Sequence, residues 1–262
     1  MYQAPLTSTS SVREAPDCIK RFLRTPPLMR RDVRCLGGEG TDKMSLSARA
    51  KELVAELTNG NVKLGDLRKH GKEIKKDHDL AMELWSTGKH HPRLLAILIF
   101  DRKLLTESVI DQLASDMLQH DVAERSQLAD WLMANQLSKD KKLASLMTTW
   151  EKNPSPILRR LFWYHQARLR WVGQAPPGNT PELLDSLESD MANAEPEVQW
   201  AMNFCAGQIG IHEPEYRSRC IKLGEELGLY KDERVAKNCT PSYLPEFIRI
   251  EVVKREGQRV SQ

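Results

Sequence analysis

Within the stretch DHDLAMELWSTG, Leu80, Ala81, Leu84 and Trp85 recur at three- and four-residue steps. Asp77 or Asp79 is placed to cap the start, and Gly88 to close the end. The same period runs almost to the end of the chain, and it predicts helices near residues 46–58, 62–75, 78–87, 92–100, 106–119, 123–136, 139–151, 156–172, 181–193, 196–209, 214–227 and 241–255. Proline stands where a first helical turn begins at Pro92, Pro156, Pro181, Pro196, Pro214 and Pro241; there its missing N–H is not needed and its φ is already helical. No strand-like alternation joined by tight hairpin turns competes with this pattern. Short helices with short connections imply hairpins stacked side by side, and two helices with their turns occupy roughly 35 to 45 residues, the period of HEAT or armadillo units. The expected fold is therefore all-α, an α-solenoid of HEAT-like helical hairpins (an α-α superhelix), with a compact bundle as the alternative. In a solenoid the inner helices line one continuous concave surface, which gives candidate residues on different helices a common place to meet.

The first 43 residues break the pattern. They hold Pro5, Pro16, Pro26 and Pro27, the run TSTSS at 7–11 and GGEG at 37–40, which reads as a flexible N-terminal leader. Met44 is followed at once by SLSARAKELVAEL, the opening of a helix, so residues 44–262 are expected to form a single HEAT-like helical repeat domain. The longest apolar stretch, LLAILIF at 94–100, suits a buried helix and is too short to span a membrane.

Of 39 Lys/Arg and 36 Asp/Glu, the first 43 residues hold eight and five, leaving 31 of each beyond them. Attraction to a polyanion must then come from separation of charge between faces of the domain and not from bulk basicity. The five cysteines form no CxxC pair and no zinc spacing, which points to a reducing, cytoplasmic setting and no metal. The histidines form no HxxxH or HExxH pair, and neither a Walker loop nor a GxGxxG after a strand is present, so no cofactor is expected.

Three stretches concentrate residues able to act together. RSQLADWLMANQL, 125–137, sets Asp130 among apolar neighbours. SPILRRLFWYHQARLRW, 155–171, puts Arg159 one turn from Trp163 and Arg160 one turn from Tyr164, and VQWAMNFCAGQIG, 198–210, puts Trp200 and Phe204 on one face. Each has an ordinary structural reading: a solvated acid, a solvated arginine row, and aromatics that fill the space between helices.

Together these stretches, with LRKHGKEIKKDHDLAMELWSTGKHHPRLLAILIFD at 67–101 and the continuation IGIHEPEYRSRCIKLGEELGLY, resemble the DNA alkylation repair proteins of the AlkD type. The resemblance implies HEAT-like solenoids that grip double-stranded DNA in a basic concave channel as monomers. It also implies DNA glycosylase (hydrolase) activity that excises cationic N3- and N7-alkylpurines without base flipping. An alkylated purine is already a good leaving group, so such a protein mainly has to stabilise an oxocarbenium-like sugar and place a water. Carried over residue by residue, the catalytic carboxylate falls on Asp130, the phosphate-holding arginine on Arg159 or Arg160, and the aromatic against the sugar and backbone on Phe204 or Trp200, with Trp163 a neighbour able to reach in. The sequence departs at two positions: Ser126 stands where the family's helix carries a tryptophan, and the family's tryptophan on the third stretch is most simply replaced by Phe204, with Trp131 or Trp163 the neighbours placed to reach in. The alternative is a non-catalytic HEAT-like scaffold that binds DNA structure or a protein partner.

Overall fold

The computed structural model describes residues 46–59, 62–171, 177–237 and 239–260, and the expected leader lies outside them. Among the described residues twelve α-helices succeed one another without a strand: α1 (Ala48–Thr58), α2 (Leu64–Ile74), α3 (His78–Ser86), α4 (His90–Ile99), α5 (Glu107–Met117), α6 (Val122–Asn135), α7 (Lys141–Met147), α8 (Pro156–Trp171), α9 (Thr180–Asp190), α10 (Pro196–His212), α11 (Arg217–Leu227) and α12 (Leu244–Val260). All twelve expected helices are present. Side-chain caps set their starts: Asp77 accepts from the Leu80 N–H at 3.1 Å, Asp121 from Glu124 at 2.9 Å, and Asp140 from Lys142 and Leu143. Gly88, at φ 67°, closes the third unit as expected. Two prolines behave differently from expectation. Pro214 opens a 3-10 turn ahead of α11, and Pro241 lies in the loop before α12, whose first turn contains Pro245.

The even-numbered helices α2, α4, α6, α8, α10 and α12 pack in succession against one another, and the odd-numbered helices flank them. This is the two-layer stack of helical hairpins. Its core is continuous from Ala50 to Ile248. Helix α10 is buried on nearly every side, which fits its weak amphipathic patterning: a helix walled in all round has no face to reserve for water. Small residues in α10 let its neighbour approach closely. A β-carbon on Gly207 or Gly210 would lie 2.6 Å from Phe247 or Ile248 of α12, and one on Gly224 of α11 would lie 2.6 Å from Pro245.

Buried arginines fasten neighbouring units. Arg93 donates to the carbonyls of Trp85 and Asp116, at 3.1 and 2.7 Å, and so ties the C-terminal ends of α3 and α5 to α4; its guanidinium also lies 4.9 Å from the Trp85 ring. Arg170 does the same further on, donating to Glu213 at 2.5 Å and to the Thr180 hydroxyl at 2.7 Å. In each case a buried positive charge is set against oxygens at helix ends.

Candidate nucleic-acid interface

Asp130 sits on α6, in the inner layer, and meets Arg160 from the next inner helix, α8. Arg160 Nε donates to Oδ1 at 3.1 Å and Nη2 to Oδ2 at 2.9 Å, while Nη1 donates to the Glu197 carbonyl of α10 at 2.8 Å. The fork of the guanidinium matches the carboxylate, so one side chain fixes the orientation of another and links three inner helices. Arg160 is 2% exposed, whereas 21% of the Asp130 side chain remains open. The arginine therefore positions, and the carboxylate keeps an accessible edge. Burial pushes the Asp130 carboxyl above its ordinary range, against the opposing charge and hydrogen bonds of Arg160.

A second pair continues the chain of charge. Arg125, one turn earlier on α6, lies 2.6 Å from the Glu197 carboxylate, which is fully buried. Two arginines thus balance two acids, and the centre of the site carries no net charge.

An aromatic wall stands beside it. The Arg160 guanidinium lies 4.9 Å from the Trp200 ring centroid. Trp200 stacks on Phe204 at 5.4 Å and 11°, and Tyr164 and Trp171 close on Phe204 at 5.5 and 6.0 Å. Burial, and then the Asp130 carboxylate, push the Tyr164 phenol above its ordinary range, so it keeps its proton. Tyr230, from the loop between α11 and α12, adopts a left-handed backbone at φ 62°. Its phenol is pushed up to about 12 by burial and by Glu233, with Arg160 near enough to oppose the shift.

The two arginines of the ILRR motif part company. One residue along a helix is a rotation of about 100°, so Arg159 faces away from Asp130, donates to the Asn153 and Pro154 carbonyls and pairs with Glu195. Trp163, one turn on, follows Arg159. It is buried, packs edge-on against Phe162 at 5.1 Å, and lines a cleft with Arg159, Lys152 and Glu195. Of the six candidate residues, Asp130, Arg160, Trp200 and Phe204 come together, while Arg159 and Trp163 stand apart on the opposite face of α8.

Ser126 is buried one turn before Asp130. The neighbouring indole, Trp131, lies in the same layer with the Arg68 guanidinium 5.4 Å from its ring. Sequence reasoning missed Glu197 and Arg125, whose pairing depends on three helices meeting. It passed over Tyr164 and Trp171 as members of the wall, although the four-residue step from Arg160 to Tyr164 was a usable signal. Among the described residues no group of three or more His, Cys, Asp or Glu is placed to hold a metal, and no helix is long and apolar enough to cross a membrane.

Paired layers of short helices, with a carboxylate, a guanidinium and aromatics converging on the inner one, define a HEAT-like repeat protein. The chain belongs to the family of DNA alkylation repair enzymes, whose model matches residues 50–226. A solved structure described as "a new family of proteins related to the HEAT-like repeat DNA glycosylases with affinity for branched DNA structures" superposes with a TM-score of 0.55 at 18% identity, covering 83% of this chain and 91% of that one. At that identity the likeness speaks for the fold. Comparison with curated proteins gives no match.

Proposed function

We propose that this protein is a monomeric DNA-binding protein of the alkylation-repair type, which holds alkylated double-stranded DNA along its inner layer and cleaves the N-glycosidic bond of cationic N3- or N7-alkylpurines. The observation that carries the reading is the Asp130 carboxylate, clamped from behind by Arg160 yet open on one edge beside the Trp200–Phe204 stack. In that geometry the carboxylate stabilises the positive sugar formed as the purine departs and accepts a hydrogen bond from the attacking water. Half-buried Trp200 offers flat apolar surface to the deoxyribose, with Phe204 buried behind it as its support. Arg160 acts by positioning, because it is sealed from solvent and its donors go to Asp130 and the Glu197 carbonyl. Base release from a duplex carrying 7-methylguanine tests the reading: the unmodified protein is expected to free the base and Asp130→Asn to lose at least roughly 100-fold in rate, as expected for removal of electrostatic stabilisation. Failure of the unmodified protein to release any base overturns the excision step.

A second reading, binding of DNA structure without excision, is favoured by the buried Ser126 and by the neutral balance of Arg125, Glu197, Arg160 and Asp130. The similar structure described as having affinity for branched DNA supports the same reading. Under it, binding to a four-way junction exceeds binding to a duplex of equal length and no base is released; equal binding to both would refute it.

A further inference from the structure

Free positive charge gathers away from Asp130, where the inner helices end. Lys75 and Lys76 follow α2, Arg102 and Lys103 follow α4, and Lys139 follows α6; together they line a cleft of about 460 Å³ floored by Leu98 and Phe100. Arg168, near the end of α8, is close enough to act electrostatically on Lys139. Because successive inner helices pack about 8–10 Å apart, these ends mark a rim roughly 25–30 Å long.

Two acids lie in the cleft and both are occupied. Asp101 accepts from Lys76 Nζ at 3.0 Å and from the Lys103 N–H, and Asp140 caps α7. Arg102 is oriented by the Gln136 side chain and the Asn135 carbonyl, at 3.3 and 3.4 Å, and Gln136 is itself held by the Ile97 carbonyl. Lys75, Lys103 and Lys139 are exposed, and none of them has a carboxylate within ion-pair distance among the described residues, although Lys103 is close enough to Asp101 to act on it electrostatically. Cations at helix C-termini are ordinary partners of the helix dipole, but the crowding here goes beyond that role: three helix ends bring Lys139 and Arg102 into one cleft with Arg168 close by. Burial and then the like charges of Arg102 and Arg168 hold the Lys139 ammonium below its ordinary range. An anion set among these cations relieves their mutual repulsion.

We infer that this rim cleft is a binding site for DNA backbone phosphates, separate from the neutral centre at Asp130, with Lys75, Lys103 and Lys139 making the contacts and Arg102 held ready beside them. The inference rests on the DNA-binding reading above. It places the electrostatic grip of the protein on one edge of the inner layer, so the duplex enters from that side.

The test compares the unmodified protein, the triple variant Lys75→Ala/Lys103→Ala/Lys139→Ala, and Lys222→Ala, an outer-layer control on α11. Affinity for an unmodified duplex is measured from low to moderate salt, with thermal unfolding alongside. Each lost phosphate contact lowers the slope of log affinity against log salt by about 0.9, so the triple variant should lose about 3 in slope and roughly 10- to 100-fold in affinity, while Lys222→Ala matches the unmodified protein. The triple variant should unfold at the same temperature or higher. An unchanged slope, or an equal loss in the control, overturns the rim site while leaving DNA binding intact; absence of binding by the unmodified protein overturns the parent reading and this one with it. A lowered unfolding temperature would instead assign the lysines a structural role.

Discussion

Arg160→Met removes a guanidinium that is 2% exposed and makes three hydrogen bonds, two to Asp130 and one to the Glu197 carbonyl. Methionine keeps much of the volume, so the loss is electrostatic. Stranding one member of a buried ion pair costs roughly 3–5 kcal/mol, and the open edge of Asp130 places the expected value near the lower end, about 3 kcal/mol. For a folded unit of this size that is a fall in melting temperature of roughly 6–12 °C. Asp130→Asn leaves the more deeply buried Arg160 charge without its counter-ion and should also cost about 3 kcal/mol, the amide oxygen still accepting one bond from the guanidinium. Adding Asp130→Asn to Arg160→Met removes the stranded charge, so the double variant should be less damaged than the sum of the singles by about 2 kcal/mol. The pH dependence has a definite sign. A carboxyl whose folded pKa lies above the ordinary 3.8 contributes stability at low pH and loses it as pH rises through the raised value. Without Arg160 the carboxyl rises further, so the deficit of Arg160→Met relative to the unmodified protein should shrink on acidification. Chemical denaturation of the four proteins at neutral pH and near pH 5 measures both effects. Additivity within about 0.3 kcal/mol, or a deficit independent of pH, would refute the coupling.

Two further predictions concern the scaffold. His165 is buried and its pKa is pushed down to about 4 by burial and then by Arg168. Below pH 6.5 the unfolded chain takes up a proton that the folded one refuses until about 4, so stability falls by roughly 3 kcal/mol across that window; His165→Phe should flatten this part of the acid limb, and an unchanged limb would discount the burial. Gly224→Ala should destabilise by about 1–2 kcal/mol, because its β-carbon would press on Pro245 and Leu244 at 2.6 and 2.7 Å, whereas Gly65→Ala, with nothing within 4 Å, should be neutral or slightly stabilising. Thermal unfolding of the pair decides it, and equal effects would contradict the close packing of α12.

The helices were legible because the apolar period, caps such as Asp77 and stops such as Gly88 are local, and local signals survive in a linear chain. Extent was less so. Helix α7 ends at Met147 because Thr148 and Thr149 turn their hydroxyls to the Ser145 and Leu146 carbonyls, and α10 continues to His212 through glycines that look like breakers until the fit of α12 is seen. At the site, Asp130, Arg160, Trp200 and Phe204 could be nominated from single helices. The choice between Arg159 and Arg160 could not be made there, because it depends on the rotation of α8 against both neighbours. Glu197 gave no sign at all, since a glutamate in the first turn of a helix is ordinary and its burial beneath Arg125 is a property of the assembled layers.

The adjacent arginines of α8 also set a rule about insertions. Their partners, Asp130 on one side and Glu195 on the other, are fixed by different helices. One residue added between Pro156 and Arg159 would carry both guanidiniums round by about 100°, taking each from its acid and turning Trp163 out of the core. Variation in length should therefore collect in the connections between helices, and the opening turn of α8 should behave as an indivisible measure, keeping its residue count even where the identities around it change.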